Sequence, residues 1–248
     1  MAHCVSGCRA GPLLEIAPEH DLTSPQLSQH SAHGTVASRV GKGYLRTKRA
    51  MDLTFASFGI VLLAPLMAAI ALAVAVSSRG PVIFRQQRLG RYGSPFNMYK
   101  FRSMRVSVPG AVGPLVTATG DPRVTPLGRQ LRRYKLDELP QLVNVLRGDM
   151  SLVGPRPEVA RYARSYPEEY RRILSIRPGI TDFATLEYRD EEELLARSAD
   201  PESAYVNEVL PKKIDLYMRY LDECSLRTDM TVLALTLLRV LRPSARSR

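Results

Sequence analysis

The sequence predicts a membrane-associated α/β protein, with a re-entrant N-terminal membrane helix and a mainly helical cytoplasmic domain containing a small β-hairpin or sheet. Three observations carry this reading. Leu53 to Val76 is a run of 24 mostly apolar residues, with no charged residue before Arg79, and roughly 20 suffice to cross a bilayer. Residues 42–105 hold 11 basic residues and 1 acidic one, which is nearly all of the chain's net charge of +11. Beyond that block, caps and apolar spacings are mostly those of short helices.

The elements follow in order. Residues 1–43 are rich in Ser, Gly, Pro and His, lack an apolar period and read as a disordered tail. Within it, His3, Cys4 and Cys8 are metal-ligand types, but a mobile tail offers no fixed geometry. Residues 44–79 form the membrane helix. Lys42, Arg46, Lys48 and Arg49 precede its apolar run, and Arg79, Arg85 and Arg88 follow it. Basic flanks prefer the cytoplasmic side, so a crossing would strand one cluster. Pro65 stands at mid-run, where it removes a donor and kinks the helix into halves of roughly 17 Å. Two such halves can enter and leave on one face; a kinked spanning helix is the alternative. Asp52, the single acid of the block, stands one turn after Lys48 and Arg49, either paired with them or solvated.

Residues 80–248 form the cytoplasmic domain. Val82–Gln87 and Phe96–Arg102 read as the strands of a basic hairpin around Gly90 and Gly93, and residues 106–120 as an uncharged loop. Thr125-Pro126 caps a short helix through Arg133. A second helix is expected from Asp137 to Leu146, stopped by Gly148, and Ser151–Pro157 reads as a turn-rich loop. Helices follow at about 158–175 with a break near Pro167, then at 201–209, 211–223 and 228–241. The last, too short to span, either lies in the membrane interface or docks as a core helix.

The composition excludes much chemistry. All 4 histidines lie in the first 33 residues, and only 3 cysteines occur. The domain therefore has no Ser-His-Asp triad, Cys-His pair or His-ligated zinc. A catalytic metal would be a hard cation on oxygen, with magnesium the default. Acid–base work falls to carboxylates, Lys or Tyr. Asp137-Glu138 stands out, at an expected helix start just after Arg132, Arg133 and Lys135, where free backbone donors attract anions. Acids in a first turn are also ordinary caps. Gly154-Pro155-Arg156-Pro157 stiffens the backbone around one arginine, a fork suited to phosphate or carboxylate, and Arg177-Pro178-Gly179-Ile180-Thr181 repeats the style; both also suit structural turns.

These residues carry a resemblance. Lys48-Arg49 with Asp52, an apolar helix interrupted by Pro65, Gly80-Pro81-Val82-Ile83-Phe84-Arg85-Gln86, Tyr99-Lys100-Phe101-Arg102-Ser103-Met104, the run Lys135–Leu142 around Asp137-Glu138, the run Gly148–Glu158, and Arg177–Thr181 occur in series. Over about residues 46–242 the chain resembles the bacterial sugar transferases, the monotopic phosphoglycosyl transferases or undecaprenyl-phosphate sugar phosphotransferases. The resemblance implies transfer of a sugar 1-phosphate from a UDP-sugar to polyprenyl (undecaprenyl) phosphate, with release of UMP. That is the first membrane step of exopolysaccharide or glycan synthesis, on the cytoplasmic face of the bacterial inner membrane, and it feeds downstream glycosyltransferases. It further implies Asp137 as nucleophile and Mg2+ ligand, Glu138 in proton or metal handling, and Lys100, Arg132, Arg156 and Arg189 in phosphate binding or in positioning the acids. Pro65 matches the break of the re-entrant helix. Two positions depart from the pattern: Ala64 and Lys135 stand where family members often carry Ser.

Two other functions compete. A non-catalytic lipid-binding anchor explains the basic block but leaves Asp137-Glu138 and the rigid arginines without a purpose. Nucleic-acid binding, suggested by a pI near 9.9, is disfavoured because the charge surrounds an apolar helix and no RNP or helix-turn-helix pattern occurs.

Overall fold

A computed structural model describes residues 41–105, 116–117, 119–188 and 190–241. The tail with His3, Cys4 and Cys8, most of the 106–120 loop, and Arg189 lie outside the described residues.

Helix α1 runs from Lys42 to Ser77, with Pro65 inside it and helical residues continuing on both sides. It lies along the rest of the protein and is bonded to it at both ends. Near its start, Lys48 Nζ donates to Asp229 Oδ2 at 2.8 Å, Arg49 donates to the Val145 carbonyl at 2.7 Å, and Asp52 Oδ1 accepts the Leu152 N–H at 3.0 Å. Asp52 is thus neither paired with its helix neighbours nor solvated. Burial demands a donor, and a backbone amide from another part of the chain supplies it. At the far end, the buried Arg102 donates to the carbonyls of Ser78 at 2.6 Å and Val74 at 3.2 Å, and to that of Pro81. The Ser78 carbonyl follows the last helical residue, where helix-end carbonyls lack intrahelical partners. Between the ends, Met67, Ile70, Ala71 and Val74 pack on Phe101, Leu131, Leu136 and Leu139. The opposite face of α1 leaves Phe58, Val61, Leu62, Leu72 and Val76 exposed.

Strands β1 (Ile83–Leu89) and β2 (Pro95–Phe101) form the antiparallel hairpin, in a register that sets Phe84 opposite Lys100. Helix α2 (Pro126–Arg133) is capped by the Thr125 hydroxyl, which accepts the Gly128 N–H at 2.9 Å. A side chain at Gly128 would fall 1.9 Å from the Ser103 carbonyl oxygen, so only glycine allows this approach. After it, Lys135 adopts a left-handed φ of 56° and Leu136–Glu138 make a single 3-10 turn. Helix α3 spans Gln141–Arg147, so the helix expected from Asp137 begins four residues later. Pro140 has no N–H to bond the Leu136 carbonyl, which takes the Leu139 N–H at 3.3 Å instead.

Strand β3 (Ser151–Val153) is followed by α4 (Ala160–Ala163), α5 (Pro167–Ile173) and β4 (Gly179–Thr181), and β3 and β4 pair in parallel. Both strands fall in segments read from sequence as turns. Three residues rich in Gly and Pro nearby show no alternation to detect. The loops beside them nearly touch, since a side chain at Gly179 would meet the Gly154 nitrogen at 2.1 Å. Then come α6 (Phe183–Glu187), α7 (Glu191–Leu195), α8 (Pro201–Ala204), a π-helical turn at Tyr205–Val209, α9 (Leu210–Glu223) and α10 (Leu226–Leu241). Tyr170, Tyr217, Tyr220, Met150 and Val153 fill the core. Helix α10 docks on the core along one side. Val232 is buried and Thr236 bonds Thr181 at 2.7 Å, while Met230, Leu235, Leu237 and Leu238 face outward.

Asp229 binds three elements together, accepting from Lys48, from Tyr44 at 2.9 Å and from Tyr220 at 2.7 Å. Asp229→Ala strands a buried ammonium, so it is expected to cost about 3–5 kcal/mol and to lower the thermal midpoint by roughly 10 °C. Replacing both partners, Lys48→Met with Asp229→Leu, should recover most of that loss in the same melting measurement.

Candidate active site

The 3-10 turn after Lys135 presents two adjacent acids, and both are buried: Asp137 is 4% exposed and Glu138 8%. Their surroundings differ. Glu138 is bracketed by two cations from distant segments. Lys100 Nζ donates to its Oε1 at 3.0 Å from β2. Arg156, from the loop after β3, forks across both oxygens, with NH1 at 3.2 Å from Oε2 and NH2 on Oε1. Asp137 has no such clamp, and its Oδ1 is buried without a hydrogen-bond partner.

The titration of the two acids diverges accordingly. Burial pushes the Asp137 carboxyl above the ordinary aspartate range, opposed by the Lys100 charge and reinforced by Glu138. Burial acts on Glu138 in the same sense, but Arg156 and then Lys100 reverse it and hold that carboxyl well below the usual range. Lys100 is itself lowered by burial and restored in part by Glu138. Pushing neighbouring carboxyls apart gives them different tasks. Glu138 is a fixed anion that orients two cations, while Asp137 is an uncommitted carboxylate.

Arg156 is held from behind. Its backbone N–H donates to Asp182 Oδ2 at 2.8 Å, and the other Asp182 oxygen caps α6 by accepting the Thr185 N–H at 2.5 Å. Pro155 and Pro157 flank it, so both backbone and side chain are constrained. These groups line a cavity of about 670 Å³ that also reaches Phe84, Gln86 and Arg88 on β1, Arg102, Arg123, Arg132 and Lys135. Basic side chains outnumber acidic ones around it, which suits a phosphorylated ligand.

A family model describing bacterial sugar transferases matches residues 43–243. The chain belongs to that family. It is 40% identical over 197 residues to an Escherichia coli protein named UDP-glucose:undecaprenyl-phosphate glucose-1-phosphate transferase, a match covering 76% of this chain and 39% of that one. It is 36% identical over 234 residues to an undecaprenyl-phosphate glucose phosphotransferase of Komagataeibacter xylinus, covering 87% and 42%. It is 39% identical over 146 residues to a putative undecaprenyl-phosphate N-acetylgalactosaminyl 1-phosphate transferase of Bacillus subtilis, covering 59% and 81%. The chain thus spans about two fifths of the length of the first two relatives.

The fold brings four of the sequence-derived sugar transferase residues into one cluster: Asp137, Glu138, Lys100 and Arg156. Arg132 lines the same cavity, but its Nε donates to Glu192 at 3.0 Å, so it reaches Asp137 only through its charge. Pro65 stands apart, within α1. Asp182 escaped the sequence reading although it directly follows the Arg-Pro-Gly-Ile-Thr run; a carboxylate there looks like any N-cap until Arg156 is seen above it. Glu192, in an acidic run, gave no signal at all.

Lys100 supplies the leading charge that opposes the burial of Asp137. Lys100→Met is therefore expected to move the Asp137 titration further upward. Carbon-13 NMR of aspartate-labelled protein, assigned by loss of the signal in Asp137→Asn, reads this directly; an unmoved titration would contradict the assigned geometry.

Proposed function

We propose that this chain transfers a sugar 1-phosphate from a UDP-sugar to a polyprenyl phosphate such as undecaprenyl phosphate, at the cytoplasmic face of the bacterial inner membrane. The observation that carries the reading is the buried Asp137, whose Oδ1 has no hydrogen-bond partner, beside a Glu138 whose charge is already satisfied. Family membership and the substrates named for the relatives support it.

In the first step an Asp137 oxygen attacks the sugar-bearing phosphorus of the donor. A carboxylate–phosphorus bond forms, the bond from that phosphorus to the bridging oxygen breaks, and UMP departs with the oxygen. In the second, an oxygen of the lipid phosphate attacks the same phosphorus, the bond to Asp137 breaks, the Asp137 carboxylate is regenerated, and a polyprenyl diphosphate sugar leaves. The sugar–oxygen bond is untouched, so the anomeric configuration is retained. Lys100 and Arg156, fixed by Glu138, offer N–H donors to charge developing on the phosphoryl oxygens. Burial raises Asp137, and the charges of Lys100, Arg132 and Lys135 oppose that rise and favour its carboxylate form.

Magnesium fits this site. No group of three or more His, Cys, Asp or Glu suited to a metal occurs among the described residues, but Mg2+ commonly takes one or two carboxylates, with phosphate oxygens and water completing its shell. Asp137 Oδ1 would be its protein ligand. Such an ion would neutralise charge on the donor diphosphate.

The membrane arrangement follows from α1. Both of its ends are bonded to one domain, and its outer face is apolar. These contacts support a re-entrant helix with both basic flanks on one side. Leu136 and Leu139, on either side of the acids, pack on its second half, a contact that supports a position of Asp137 near the lipid phosphates. The outward apolar face of α10 adds a second contact with the interface.

Wild-type protein with a panel of UDP-sugars and undecaprenyl phosphate should release UMP, and Asp137→Asn should reduce that by at least about 10³-fold. Mass spectrometry of the quenched first half-reaction should find the phosphosugar on the peptide bearing Asp137. UMP release at the wild-type rate from Asp137→Asn would refute the assignment. For topology, single cysteines at Arg46 and Arg85 in a cysteine-free background should both resist a thiol reagent applied outside the cell; labelling of one alone would mean that α1 crosses.

A further inference from the structure

The cavity extends well beyond the acids, and the groups at its other end are unused by the reaction above. There Arg88 NH1 donates to Glu158 Oε1 at 2.7 Å, Tyr205 Oη donates to Glu158 Oε2 at 2.6 Å, and Lys213 Nζ donates to Tyr205 Oη at 3.4 Å and to Glu191 Oε2 at 2.9 Å. The chain of bonds joins five side chains from separate elements, and all five line the cavity. Lys213 and Tyr205 are each only 4% exposed. Burying two ion pairs is costly and seldom stabilises a fold as well as apolar packing would, so their placement around a cavity calls for a ligand. Two further observations agree. Tyr205 opens a π-helical turn, a rare form that concentrates at functional sites. The buried Thr185 hydroxyl, also on the cavity wall, has no hydrogen-bond partner.

The chemistry of this lobe differs from that around Asp137. Its charges cancel, Arg88 against Glu158 and Lys213 against Glu191, and it alternates donors with acceptors. Such a surface suits a neutral ring bearing several hydroxyls rather than a phosphate. Glu158 follows Arg156 by two residues along the chain, so the lobe adjoins the segment that carries the clamp. In a nucleotide sugar the sugar is bonded directly to the attacked phosphorus, while the nucleoside begins a whole phosphate further away. We propose that this lobe seats the sugar of the donor, and that Tyr205, Lys213 and Glu191 select which sugar is accepted. The inference rests on the reaction proposed above. Relatives of similar identity named for glucose and for N-acetylgalactosamine agree with selection by a few residues rather than by the shared scaffold.

The test compares full-length wild type with Tyr205→Phe, which deletes the bridging hydroxyl alone, and with Glu191→Gln, whose partly exposed position at the rim tolerates substitution. Two readouts are taken with the preferred UDP-sugar and its C4 epimer: calorimetric Kd in detergent, and kcat/KM for UMP release. UMP, which lacks the sugar, is the binding control. At least one variant is expected to change the preference between epimers about tenfold, with UMP affinity within twofold of wild type. Equal losses for both epimers, an unchanged preference in both variants, or UMP affinity falling together with that of the donor would overturn the proposal. Calorimetry separates this from failure of the proposed reaction: wild type that binds donors without releasing UMP refutes the reaction, while the epimer Kd ratios still decide the role of the lobe.

Discussion

Two carboxylates on adjacent residues cannot share a dry site unless something balances their charge, and here the balance is lopsided. Glu138 takes both nearby cations, Lys100 at 3.0 Å and the fork of Arg156, and Asp137 takes neither directly. The rest of the site depends on that division. It holds the Glu138 carboxyl well below the usual range, fixes the side chains of Lys100 and Arg156 on it, and leaves the other carboxylate with a buried oxygen that has no hydrogen-bond partner. Pro155, Pro157 and Asp182 fix Arg156 so that the clamp does not relax when a ligand competes for it. The left-handed Lys135 belongs to the same device. A non-glycine residue at φ 56° is strained, and the strain turns the chain sharply enough to present the two acids together.

The membrane helix is built into this arrangement rather than attached to it. Asp52 accepts a backbone N–H from the strand that leads to Arg156, and Arg102 caps the far end of α1 from the strand that carries Lys100. Each cation of the clamp therefore sits on a segment bonded to α1. Leu136 and Leu139 add an apolar contact on either side of the acids. The two acids and the exposed apolar face of α1 thus share one rigid frame.

Some of this was legible in the residues themselves. The apolar run and the crowded basic flanks marked out α1, and the missing histidines left acid–base work to carboxylates, lysine or tyrosine. The β-hairpin and α2 follow their turn and capping signals to within a residue or two. The parallel pair β3 and β4 was not legible, because three-residue strands carry no period. The helix expected from Asp137 starts at Gln141 because of the missing amide of Pro140, a local effect that helical spacing conceals.

By itself the sequence determined which segment is apolar, which residues could bear charge chemistry, and that Asp137-Glu138 directly follows a basic cluster. Those are properties of composition and of neighbours along the chain. Only the tertiary structure decided that Lys100 and Arg156 meet on Glu138, that Asp182 and Asp52 serve backbone amides, and that Glu158, Tyr205, Lys213 and Glu191 join at the far end of one cavity. A buried charge takes whatever partner the folded chain brings within hydrogen-bond reach. These partners lie 18 and 38 residues from Glu138 and 100 from Asp52, separations at which helical or strand spacing holds no information.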